Sequence, residues 1–152
     1  MMSKLQQATE LSHLFVSIAR QLKKLSAQTA TKLGVTFQQM IILNSIRNNA
    51  GQTQKELTER LIFAKSRVSL SIDELEKKDY VKRETSSSDR RETQLFLTPD
   101  GELLCQRYRE ESEAYKNLAN SLEQFSKEEL NILIDMQKQI LADLLNEEAK
   151  NL

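Results

Sequence analysis

The residue types that stand out for chemistry lie in a short amphipathic segment, residues 65–78. On a helical wheel Val68, Ile72 and Leu75 fall on one side, which predicts a helix with that side buried. The opposite side starts with basic and small residues and carries no acid before Asp73. A helix that enters the major groove of DNA places donors near its amino end. The outward residues predicted to contact DNA are Lys65, Ser66, Arg67, Ser69 and Leu70.

Several of these side chains suit the reading of bases. Arg67 can donate two hydrogen bonds to a guanine, and Ser66 and Ser69 can reach bases or phosphates. Leu70 is apolar and outward, so it can contact a thymine methyl group. A solvated amphipathic helix would show the same pattern, and the segment alone leaves both interpretations open. The predicted DNA contacts also include Thr53 and Gln54, at the start of the preceding predicted helix.

A second basic cluster lies at the tip of a predicted hairpin. Residues 80–97 contain two short strand-like stretches joined by a polar segment, which predicts an antiparallel β-hairpin. At its tip Arg90 and Arg91 can enter a narrow minor groove, and Asp89 is expected to hold the neighbouring arginine through a bidentate pair. A helix-turn-helix followed by a basic hairpin predicts a winged helix-turn-helix.

Capping residues divide the rest of the chain into helices. Apolar residues recur every three or four positions over residues 5–33, which predicts one long helix. Thr36 is the predicted N-cap of a second helix, and Thr53 forms a capping box with Glu56 at the start of a third. A fifth helix is expected to run unbroken from residue 99 to residue 122, and a last one to follow residue 126. The predicted fold is mainly α with a small β-hairpin wing.

The composition favours a folded, mostly helical protein, and the motifs that an enzyme would need are absent. Of 152 residues 39% are hydrophobic, with only 3 glycines and 1 proline. There is no glycine-rich phosphate loop and no metal-ligand cluster, so neither catalysis, a cofactor nor a metal is expected. The single cysteine, Cys105, excludes an intrachain disulfide and fits a reducing cytoplasm. Residues 1–10 are polar, so neither a signal peptide nor a membrane span is expected.

The charge is zero overall but is unevenly distributed. Residues 1–52 hold 6 basic and 1 acidic side chains, whereas residues 98–152 hold 6 and 12. This polarity could orient the molecule on a polyanion, or it could reflect ordinary solvated helices.

The ordered set of motifs resembles the MarR (multiple antibiotic resistance regulator) family over nearly the whole chain. The motifs are TFQQ at residues 36–39, QKEL at 54–57, LEKKDYVKR at 75–83, DRR at 89–91, LFLT at 95–98 and Gly101. The resemblance implies a homodimeric repressor on a pseudo-palindromic DNA operator, with residues 65–78 in the major groove and a wing arginine in the minor groove. Asp79 departs from the family's usual glycine, and Leu70 stands where relatives are often polar.

The same resemblance implies that DNA binding and dimerisation belong to separate regions of the chain. It also implies a small-molecule effector, such as a phenol or another aromatic compound. Residues 35–98 would form the winged helix-turn-helix, and residues 1–34 with 99–152 would form a helical dimerisation region. The candidate ligand-binding residues are His13, Ser17, Arg20, Phe37 and Met40. Two alternatives stay open: a redox-sensing repressor that uses Cys105, and a winged-helix module that binds a protein instead of DNA.

Overall fold

The computed structural model describes residues 1–152 and is mainly α-helical with a two-stranded antiparallel wing, as the sequence predicts. The elements are α1 (Lys4–Lys32), α2 (Phe37–Asn48), α3 (Gln54–Leu61), α4 (Lys65–Lys77), β1 (Val81–Thr85), β2 (Thr93–Leu97), α5 (Pro99–Glu111), α6 (Glu113–Leu122) and α7 (Lys127–Lys150). None of the helices is both long enough and apolar enough to cross a lipid bilayer. Two compact units, Met1–Ala114 and Tyr115–Leu152, are described separately.

The core of the first unit fixes the orientation of α4. Val68, Ile72 and Leu75 are fully buried in the core, where α4 packs against α2, α3 and β1, which confirms the predicted inner side of this helix. Gln39 of α2 strengthens this packing, because its amide nitrogen donates to a Glu74 carboxylate oxygen at 2.6 Å. The outer side of α4 is therefore held towards solvent by the packing of its inner side.

The wing pairs Val81 with Leu97 at its base and Thr85 with Thr93 near its tip. A third short stretch joins the sheet, since the Leu95 N–H donates to the Gln52 carbonyl at 2.9 Å and Thr53 pairs with Gln94. No sequence pattern predicts this pairing, because two residues are too few to show an alternation of apolar and polar side chains. The added pairing joins the start of α3 to the wing.

The expectation of one unbroken fifth helix is wrong, because the chain leaves helical geometry at Ser112. Ser112 is fully buried and has ψ 113°, and α6 begins directly after it. The Glu113 N–H donates to the hydroxyl of Thr29 in α1 at 3.1 Å. In a continuous helix this N–H would bind the carbonyl four residues earlier. A contact with α1 therefore replaces the local hydrogen bond.

The two long helices carry apolar residues that the chain itself does not cover. On α1 they form a row from Leu11 to Ile18, the stripe predicted to pack against other helices or a second subunit. In the second unit α7 has no buried residue. Its exposed apolar residues are Ile132, Leu133, Ile134, Met136, Ile140, Leu141, Leu144 and Leu145.

Two non-glycine residues adopt the left-handed backbone conformation. Asp79, at φ 61°, does so in the turn between α4 and β1, and aspartate tolerates this conformation better than most residues do. Ile62, at φ 55°, ends α3 in the turn of the helix-turn-helix. A β-branched residue is strained there because its Cβ crowds the backbone.

We expect Ile62→Gly to raise the free energy of unfolding by about 1 kcal/mol. The Ile62 side chain is 82% exposed, so its removal costs little packing. The relief of backbone strain is partly offset by the larger entropy of glycine in the unfolded chain. Urea unfolding measures the change, with Ile62→Ala as the control that removes the side chain but keeps Cβ. Equal or lower stability of the glycine variant would contradict the expectation.

Candidate nucleic-acid interface

The amino end of α4 projects from the protein surface with its basic side chains free. Lys65, Ser66 and Arg67 are exposed, and neither basic side chain takes part in an ion pair. Ala64 at the N-cap offers no side-chain oxygen, so the first N–H groups of α4 stay available for a phosphate. Of the other predicted contacts on this helix, Leu70 is exposed and Ser69 is half-buried.

Arg83 of β1 forms ion pairs with two acidic residues further along α4. Its guanidinium donates to Asp73 at 2.7 Å and to Glu76 at 3.3 Å, and the side chain is largely buried. The single positive charge of Arg83 thus offsets part of the negative charge of the two carboxylates, and α4 is tied to the first strand of the wing. This pairing is absent from the sequence-based predictions. A pattern that could have indicated it is two acidic residues three positions apart on a helix, followed by an arginine on the next strand.

The wing tip is a tight polar turn. The carboxylate of Asp89 accepts a hydrogen bond from the backbone N–H of Arg91 at 2.9 Å, so the expected bidentate pair with an arginine side chain is wrong. A hydrogen bond from a backbone N–H to the aspartate side chain two residues earlier defines an Asx turn. Arg90 and Arg91 remain exposed and outside every ion pair. Asp89 thus stabilises the backbone of the tip and leaves both guanidinium groups free.

The start of α3, the start of α4 and the wing enclose an open cleft of about 490 Å³. Four predicted DNA contacts line it together: Thr53, Gln54, Lys65 and Arg91. Lys55 adds a third basic side chain, while Glu59 and Glu92 supply two acids. Ser66, Arg67, Ser69, Leu70 and Arg90 do not line this cleft.

The five candidate ligand-binding residues do not line one cavity. His13 and Ser17 lie along a shallow groove of about 580 Å³ on α1. The Phe37 ring lies 5.8 Å from the ammonium nitrogen of Lys23, a residue about 15 Å further along α1 than His13. Met40 is buried in the core, and Arg20 is exposed on α1. Thus only His13 and Ser17 share a groove.

Cys105 is fully buried in the first unit. Burial raises the pKa of its thiol to about 11, an effect that Glu102 reinforces and Arg47 and Arg109 oppose. The thiol is therefore protonated at neutral pH and shielded from solvent, whereas oxidation proceeds through an accessible thiolate. No cluster of three or more histidine, cysteine or acidic side chains is placed to hold a metal ion.

The sequence of the winged region matches that of a known family. The MarR family model matches residues 33–92. The repressor MdtR of Bacillus subtilis is 33% identical over 76 residues, which cover 50% of this chain and 49% of the relative. The winged region of the chain is therefore similar in sequence to the MarR family. The match spans about half the length of this curated relative.

Solved structures of MarR proteins show the same fold. Staphylococcus aureus MarR, in complex with salicylate and kanamycin, has a TM-score of 0.80 at 24% identity, covering 93% of this chain and 94% of that one. A cysteine-to-serine mutant of Escherichia coli MarR, in complex with operator DNA, has a TM-score of 0.71 at 22% identity, covering 92% and 99%. The curated relatives MdtR of Bacillus subtilis and SarZ of Staphylococcus aureus are a transcriptional repressor and a transcriptional regulator.

Proposed function

We propose that the chain is a cytoplasmic homodimeric repressor that binds a pseudo-palindromic DNA operator and is released by a small aromatic ligand. The observation that carries this proposal is the exposed basic amino end of α4 beside a basic wing. In such a complex Arg67 reads a base in the major groove, while Arg90 or Arg91 enters the minor groove. Thr53, Gln54 and Lys65, which line the cleft between them, bind the phosphates of the DNA backbone.

The uncovered apolar residues of α1 and α7 support a dimer in which a second copy covers them. Residues 1–34 and 99–152 would form the dimerisation region and residues 35–98 the DNA-binding domain. The two α4 helices would then lie about 34 Å apart, one turn of B-DNA. Sedimentation equilibrium should give twice the chain mass of 17.5 kDa, and a monomer at micromolar concentration would contradict this assembly.

The effector part of the proposal rests on the salicylate complex of Staphylococcus aureus MarR and on the groove that holds His13 and Ser17. An aromatic acid could place its ring against Leu14 and its polar group near His13. Titration of salicylate into the protein–DNA complex should release the DNA, and His13→Ala should weaken that release. Release that is equally sensitive in both proteins would move the ligand site elsewhere.

Selection of bound fragments from genomic DNA directly tests whether α4 and the wing bind a specific DNA sequence. We expect wild-type protein to enrich a short inverted repeat, and Arg90→Ala or Arg91→Ala to weaken binding with a shallower dependence on salt. Each lost phosphate or groove contact lowers the number of counterions released by about one. Arg107→Ala is the control, because Arg107 is already paired with Glu111 on α5. Unchanged affinity and salt slope in both wing variants would contradict the DNA-binding role of the wing.

The zero net charge supports a second candidate function, a winged-helix module that binds an acidic protein. The same selection separates the two candidates, because a protein-binding module should enrich no DNA sequence.

A further inference from the structure

Leu70 is an apolar side chain in a polar, basic setting. Between α2 and the end of the wing, only Ile62 and Leu70 among the large apolar residues are strongly exposed, at 82% and 59%. Ile62 lies in a turn, whereas Leu70 lies in the middle of α4. Since Leu70 is two residues from the buried Ile72, it points to the opposite side of the helix.

The surroundings of Leu70 favour DNA over a protein as its partner. The same helix face begins with Ser66, one turn before Leu70, and carries Arg67 beside it. The acids that follow, Asp73 and Glu76, are held by Arg83. A leucine beside hydroxyls and an unpaired arginine, with the nearby acids partly offset by Arg83, suits a polyanion that also offers a small apolar group.

We propose that Leu70 is a specificity-determining residue that packs against the C5-methyl group of a thymine in each operator half-site. This inference rests on the proposed DNA-binding function. Thymine is the only standard base that presents a methyl group in the major groove. Leu70 and Arg67 are three residues apart, or about 4.5 Å along the helix, close to one base-pair step of about 3.4 Å. The thymine should therefore lie within one or two steps of the base pair that Arg67 reads.

Deoxyuridine substitution tests the contact atom by atom, because it removes only the methyl group of thymine. After the operator has been selected, each thymine of the half-site is replaced in turn and the dissociation constant is measured. We expect one position per half-site to lose about fourfold in affinity for wild-type protein, from the burial of one methyl group. Leu70→Ala should bind the unmodified operator more weakly and should bind the thymine and uracil operators equally.

Leu103→Ala is the matched control. Leu103 is exposed to a similar extent, 54%, but lies on α5. This variant should keep the full sensitivity to uracil, and circular dichroism and sedimentation equilibrium check that both variants fold and keep the oligomeric state of the wild type. Wild-type protein that selects an operator but does not distinguish thymine from uracil overturns the inference alone, as does full uracil sensitivity in Leu70→Ala. Wild-type protein that selects no DNA overturns the proposed function and this inference together.

Discussion

Gly101→Ala is expected to lower the free energy of unfolding by about 3 kcal/mol, the largest stability change predicted for a single methyl group in this chain. Gly101 lies in the first turn of α5, where its N–H donates to the Thr98 hydroxyl at 3.0 Å. A Cβ atom there would overlap the carbonyl oxygen of Tyr80. Because that oxygen belongs to the backbone, it cannot rotate away as the end of a side chain would.

The overlap would disturb the junction between the wing and α5. The Tyr80 carbonyl accepts the Thr98 N–H at 3.1 Å, and the Thr98 hydroxyl donates to the carbonyl of Asp79. Moving either strand end weakens these hydrogen bonds, each worth about 1 kcal/mol, in addition to the cost of overpacking.

Urea unfolding measures the loss, and Gly34→Ala provides the control. Gly34 has φ 84°, but no atom lies within 4 Å of the position that an added methyl group would take, so this variant pays only for the left-handed backbone, about 1 kcal/mol. Gly101 has no positive φ, so alanine there is opposed only by the lack of space. A smaller loss in the free energy of unfolding for Gly101→Ala than for Gly34→Ala would contradict the prediction, because it would show that α5 can move to make room for the methyl group.

Arg67→Ala is expected to reduce operator affinity by about 10- to 100-fold and to remove the preference for one base pair in each half-site. Its guanidinium is exposed and unpaired in the first turn of α4, so the substitution removes no intramolecular ion pair. The effect should therefore appear in DNA binding while the midpoint of thermal unfolding stays unchanged.

Competition among operators that carry each base at the affected position measures this preference. Arg67→Lys should recover much of the affinity but little of the preference, because an ammonium group lacks the planar fork that binds two acceptors of guanine. Arg107→Ala should leave both quantities unchanged. If Arg67→Ala discriminated among the four bases as wild type does, the base contact would have to come from another residue.

Local interactions explain why the start of α3 and the orientation of α4 can be predicted from the sequence. Thr53 and Glu56 exchange hydrogen bonds across three residues, so the start of α3 depends on chemistry that neighbouring positions carry. The helical period that places Val68 and Ile72 inward also places Leu70 outward, whichever elements cover the inner side. The structure bears out both, because each depends on contacts within one or two helical turns.

The positions of the candidate ligand-binding residues could not be predicted in this way. His13 and Met40 both belong to apolar, helical patterns, yet one lies on the surface of α1 and the other in the core. The spacing of apolar residues in the sequence shows which side of a helix is apolar, but it does not show whether another helix or strand covers that side.

The sequence alone thus determines the order of the helices up to α5, the caps of α2 and α3, the inner side of α4 and the basic residues at its amino end. Only the tertiary structure decides the pairing of Gln52 with Leu95, the hold of Arg83 on Asp73 and the break at Ser112. These contacts join residues from 10 to 84 positions apart. They form because the packed core brings distant segments together, and no pattern within one helix or strand encodes that proximity.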